Sequence, residues 1–306
     1  MKNTVNIDNR TVTIPDSWNG LSLRNQLCLY GILLTNHKSY FAPEELMPAK
    51  RIMIVQELLD LKPEFMQKWE ADCVQEDEEN SNLIFLSELN EVLKLADFLF
   101  DIKENEAGDT LYSIKLGLTQ NPYPELHWRK KASNKLKRLY GPDDELKNIS
   151  LYELALSFTL FEKYLKTGDK QHMLELIATI YRPSKPITKA NKQSGYKGDR
   201  RLPILDHERM VKKRMERMKN LPDPILHIIT FWFAGCRNHI INKYANLFSS
   251  GDTGEKTGND YGWGAVILNL AGGLTELKKV SKQKYSNAFT YLSYLEDQRK
   301  LAELDK

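Results

Sequence analysis

Cys236 and His239 stand three residues apart, a spacing at which a thiolate and an imidazole supply half of a tetrahedral zinc site. No second pair accompanies them. His207 and His227 are isolated, and Cys28 and Cys73 lie far off in the chain, so Cys236 reads as packing in an apolar helix beside a hydrogen-bonded histidine. Gly251-Asp252-Thr253-Gly254-Glu255-Lys256-Thr257 looks like a phosphate loop at first sight, but the glycine spacing is short and Gly254 does not directly precede the lysine. The residues before it, Tyr244 to Phe248, have a helical pattern where a phosphate loop needs a strand. Glu76 to Glu79 form an acidic run without the alternating ligands or central glycine of a calcium loop, as expected of a solvated loop. No nucleophile, base and orienter can be matched, so the sequence predicts a protein that is not an enzyme and carries no metal or cofactor.

Two features point to surfaces rather than reactions. Between Arg182 and Lys219, thirteen lysines and arginines stand against four acidic residues, a local balance of +9 in a chain whose net charge is +3. Arg209, Lys212, Lys213, Arg214 and Arg217 concentrate this charge on one predicted helix. They suit an acidic protein surface or phosphate, although a solvated helix with a polar linker is the simpler explanation, since no groove-reading motif accompanies the charge. The second feature is aromatic: Phe231-Trp232-Phe233 and Tyr261-Gly262-Trp263-Gly264 place large rings that could anchor a partner, with Phe231, Trp232 and Trp263 as candidates. Rings of this size at helix junctions are also what a core uses.

The elements that would position these residues follow from patterning. The 306 residues are 41% hydrophobic and 28% charged, a globular composition. Three scattered cysteines suggest no disulfide framework and fit a reducing compartment. No apolar leader follows Met1, and the most apolar run, Ile225 to Cys236, is shorter than the roughly 20 residues of a spanning helix. The chain is thus expected in the cytoplasm, away from membrane.

Alternation predicts hairpins near 4–14, turning at Asp8-Asn9, and near 98–116, with Pro122 and Pro124 closing the second unit. Helical spacing predicts a Ser22-capped helix through Leu34 and others over about 43–60 and 87–97. Ser150 and Glu153 have capping-box spacing, in which hydroxyl and carboxylate each satisfy a free amide at the start of a helix through Tyr164. Thr167-Gly168-Asp169 stops that helix and caps another reaching Tyr181. Further helices follow from about Asp206 to Lys219, after Pro224, and at the end through Tyr291, Leu292, Tyr294 and Leu295. The expected fold is mainly α, multi-helical, with small β-hairpins. The Pro-, Lys- and Gly-rich stretch 183–205 is expected to link an N-terminal domain, 1–182, to a helical one, 206–306.

The chain resembles proteins encoded in the structural gene blocks of tailed phages and prophages, near the tape-measure gene, where tail assembly chaperones are found. The resemblance is carried by Ile14-Pro15-Asp16-Ser17-Trp18, by Gly141-Pro142-Asp143-Asp144-Glu145-Leu146 with Asn148-Ile149-Ser150, and by Leu176 through Pro183. Gly198-Asp199-Arg200-Arg201, Phe231 to Phe233, Tyr261 to Gly264 and Tyr291 to Leu295 extend it over nearly the whole chain. It implies a non-enzymatic role: binding tape-measure helices, or another tail component, until tube subunits assemble. The chain is longer than the small chaperones of that class. A structural virion subunit of connector or baseplate kind is the alternative, located in the virion, and a nucleic-acid-binding module using 182–219 is a third.

Overall fold

The computed structural model describes residues 3–7, 10–34, 46–61, 67, 91–104, 110–129, 136–185, 199–204, 207–248, 267, 270–271 and 276–304. Among these residues the fold is mainly helical with three two-stranded antiparallel sheets. It divides into two compact units, 1–118 and 119–306.

In the first unit, β1 (Asn3–Ile7) and β2 (Arg10–Ile14) form the hairpin that alternation predicts, with Val5 opposite Val12. The Asp8-Asn9 turn lies outside the described residues. A 3₁₀ turn at Trp18–Gly20 buries the Trp18 ring. Ser22 then caps α1 (Leu23–Leu34) by accepting from the Asn25 amide at 3.2 Å. Gln26 is buried, and its amide group donates to the carbonyls of Trp18 and Leu21, tying α1 to the turn before it. From α2 (Leu46–Leu59), Lys50 reaches the Leu33 carbonyl at 2.5 Å, satisfying an orphan acceptor in the last turn of α1. Burial lowers the pKa of that ammonium group. Arg51 pairs with Asp97 and lies over the Tyr112 ring, joining α2 to the second hairpin, β3 (Phe100–Glu104) and β4 (Thr110–Ile114).

The second unit opens with a hairpin that sequence reading misses, β5 (Glu125–Arg129) with β6 (Leu136–Tyr140). Pro122 and Pro124 precede a strand here rather than ending a unit. Gly141 follows β6, and a β-carbon there would lie 2.7 Å from both the Asn121 amide nitrogen and the Tyr181 ring, so this close approach requires glycine. Then come α3 (Leu151–Thr167) and α4 (Lys170–Ile180). Gly168 ends α3 at φ 66°, and Asp169 caps α4 by accepting from the Gln171 amide at 2.8 Å.

Next are α5 (His207–Met218), α6 (Asp223–Lys243), the short α7 (Ala245–Phe248), α8 (Leu277–Ser281) and α9 (Tyr285–Leu304). Helix α4 sits between α3, α5 and α6, which explains why Leu176 to Tyr181 are all fully buried. The apolar run Ile225 to Cys236 falls in the first two thirds of α6, where Phe233 packs edge-on against Phe158 and tilted against Phe161 of α3.

The unit boundary differs from the expected linker at 183–205. Helices on either side of that stretch pack together, α4 on α5 and α6, so they share one core. The flanks of the stretch also meet each other. Ser184 bridges to Arg201, the Lys185 amide donates to the Arg200 carbonyl, and the Leu202 amide donates to the Pro183 carbonyl. Residues 186–198, the centre of the predicted linker, lie outside the described residues. So do the acidic run Glu76 to Glu79, the Gly251 to Gly258 loop and the Tyr261 to Gly264 segment.

Candidate functional site

The residues proposed for partner contact fall into three groups. Trp232 is completely buried and Phe231 nearly so. The Trp232 indole nitrogen donates to the Thr119 carbonyl at 3.0 Å. These rings offer no surface to a partner, which corrects the anchor reading: an apolar run on a helix packed against α3 and α4 is drawn into the core by its own hydrophobicity. Trp263 lies outside the described residues. On α5, Lys212, Lys213 and Arg217 are exposed, whereas Arg214 is buried. Arg209 belongs to the same helix, with its side chain outside the described residues.

Arg214 is buried because it falls in the apolar stripe of α5, between Val211, Met215 and Met218 at positions i, i+3, i+4 and i+7. Its Nε donates to the Ala178 carbonyl at 2.6 Å, in the last turn of α4. Burial, and then the neighbouring Arg182 and Arg217 charges, lower its pKa to about 10.

Nearby lies a buried ion network that spacing does not reveal. Glu153 is 2% exposed, Arg182 3% and Arg201 1%, so three charges have left water together. Arg201 donates to Glu153 Oε1 at 2.7 Å, to Asp199 Oδ1 at 2.9 Å and to the Ile180 carbonyl at 2.8 Å. Arg182 reaches Glu153 Oε2 at 3.0 Å and Asp199 Oδ2 at 3.3 Å. Burial pulls both arginines toward lower pKa. For Arg201 the two carboxylates outweigh burial and the net direction is up, while for Arg182 burial prevails. Ser150 caps α3 as predicted, accepting from the Glu153 amide at 3.3 Å. The other half of the capping box is replaced: the Glu153 carboxylate turns to the arginines. Such a network fixes the α3 start, the α4 end and the 199–202 segment in one register.

Cys236 and His239 take separate partners. The thiol is buried 3.6 Å from the Thr119 carbonyl, and burial pushes its pKa well up. His239 faces Glu145 at 3.7 Å. Among the described residues no group of three metal-ligating side chains converges.

Comparison of the chain with protein-family models, curated proteins and solved structures found no match. The surface itself therefore carries the functional argument. The most distinctive patch is on α9. One face packs Tyr285, Ala288 and Phe289 inward, with Phe289 meeting the rings of Tyr244, Phe248 and Tyr285 at 5.3–5.9 Å. Asn246 of α7 fastens the same side through Ser293 and Asp297. The opposite face exposes Tyr291 (55%), Tyr294 (58%), Leu295 (43%) and Leu301 (55%). At 100° per residue these four fall in one stripe about 120° wide, the mark of a helix with a second packing face. The sequence marks Tyr291, Tyr294 and Leu295 as the end of the terminal helices and as part of the tail-protein resemblance, and does not single out Leu301. Their alignment is legible from spacing, but which side faces inward depends on Phe289 and its distant partners. No helix among the described residues is long and apolar enough to cross a membrane.

Proposed function

We propose that the protein is a non-enzymatic morphogenesis factor of the tailed-phage kind, acting in the host cytoplasm by binding a helical segment of a tail component, the tape measure foremost. One observation carries this reading beyond the resemblance: the exposed apolar stripe of Tyr291, Tyr294, Leu295 and Leu301 on a helix whose other face is already packed. Single exposed apolar residues are normal, but an aligned row on one helix is how amphipathic helices meet partner helices. Tyrosines suit this role because they bury large area with little loss of side-chain freedom. Exchange of client for assembling tube subunits requires reversible contact, which a stripe of one helix length supplies.

The test is co-expression of the tagged protein with the neighbouring genes, followed by affinity capture. The wild type is expected to retain the tape-measure protein. A Tyr291→Ser, Tyr294→Ser, Leu295→Ser variant is expected to fold normally, since these side chains are exposed, and to retain at least about tenfold less. Recovery only of connector or baseplate rings would replace the chaperone reading with that of a virion subunit.

A further inference from the structure

A cleft of about 650 Å³ lies between the start of α4 and the length of α5. Its floor is Leu174 and Met215, and its rim carries Lys170, Lys212, Lys213 and Lys219. Glu216 is the one acidic residue among the described residues of that lining. Lys212 and Lys213 are exposed and have no ion-pair partner among the described residues. Lys170 is paired with Asp223 at 2.6 Å and Lys219 with Glu216 at 2.7 Å, but both pairs are solvent-exposed. Exposed pairs of this kind are weak, because water screens both charges, so an incoming carboxylate exchanges readily for either acid.

We infer that this cleft is a docking site for an acidic amphipathic segment of a partner protein, with an apolar side chain on the Leu174–Met215 floor and carboxylates against the lysine rim. The charge of the rim selects the partner's sign. The floor selects its class: a methionine and a leucine accept an aliphatic or aromatic side chain, and methionine adapts to its shape. A nucleic acid strand would use the lysines through its phosphates, but its bases need aromatic platforms, and the described residues of the lining include none. Lysines also suit carboxylates arriving in varied geometry, since each ammonium group is a rotatable point charge rather than a fixed fork. The inference stands on the α4–α5 cleft alone and is independent of the tail reading and of the α9 stripe.

The experiment uses the full-length protein and a fluorescent helical peptide of about 14 residues with Leu at i, i+3, i+4 and i+7 and Glu on the flanks. Anisotropy titration at low salt is expected to show binding that weakens as salt rises. A peptide with Gln in place of Glu should bind at least tenfold more weakly. Lys212→Glu with Lys213→Glu should weaken the Glu peptide at least tenfold, while Lys278→Glu, an exposed change on α8, should leave it unchanged. Circular dichroism melts establish that all variants fold. Equal binding of the Glu and Gln peptides, or no effect of the double variant, would overturn the proposal. So would a single-stranded oligonucleotide that binds more tightly than the Glu peptide and is lost in the same double variant.

Discussion

Glu153→Gln is expected to lower the unfolding free energy by about 3–5 kcal/mol, a large part of the stability of an ordinary domain. Glutamine keeps the shape of the side chain and removes its charge. Arg182 and Arg201 then keep Asp199 as their directly paired carboxylate, and Arg214, whose charge also feels Glu153, loses a favourable neighbour. Cations buried to this degree cannot recover their hydration without opening the junction of α3, α4 and the 199–202 segment. Urea denaturation monitored by far-ultraviolet circular dichroism measures the loss as a shift in midpoint at constant slope. Adding Arg201→Met to Glu153→Gln should restore part of it, because the replacement removes one uncompensated charge and fills its volume. A loss below about 1 kcal/mol would mean that the network is a solvated pair of little consequence.

Trp232→Ala is expected to cost about 3–5 kcal/mol, as for other large aromatic truncations in a core. Trp232→Phe should cost far less. It keeps most of the apolar volume, and the Thr119 carbonyl that loses the indole donor still accepts from the Glu145 amide at 2.9 Å. The pair of variants separates two roles for the same residue. A core tryptophan makes stability fall steeply with truncation, whereas a partner anchor would leave the free protein stable and weaken only capture. Equilibrium denaturation of the two variants reads this directly.

Much of the local structure can be read from the residues, because its causes lie within a few positions of each other. The two predicted hairpins follow from alternation at Val5 and Val12 and at Phe100, Ile102, Tyr112 and Ile114. The helix ends at Ser22, Ser150, Gly168 and Asp169 follow from cap chemistry. The missed hairpin has a weaker signal. Among its described side chains the one cross-strand pair with both members buried is Leu126 with Leu139, and the rest of its strands is rich in charge. A single such pair is too short for alternation to register.

The functional surface is less legible, and the reason is range. Glu153 meets Arg182 and Arg201 across 29 and 48 positions, so nothing near Glu153 distinguishes a cap carboxylate from the centre of a buried network. The same partners turn Arg201, which looks like a linker residue, and Arg182 just before the expected linker into core residues. Arg214 is the exception, since its place in the Val211, Met215, Met218 stripe marks it for burial from sequence alone. The basic patch thereby contracts from five residues on α5 to those on its exposed face, with Lys212 and Lys213 foremost.

In the proposed function, a client binds α9 on the face opposite Phe289. The most direct measurement places a photo-crosslinking benzoylphenylalanine at Tyr294, with Tyr152 on α3 as the exposed control, in cells that also express the tail genes. An adduct with the tape-measure protein is expected from position 294 and none from position 152. No adduct at 294, or equal adducts at both positions, would contradict the proposed function.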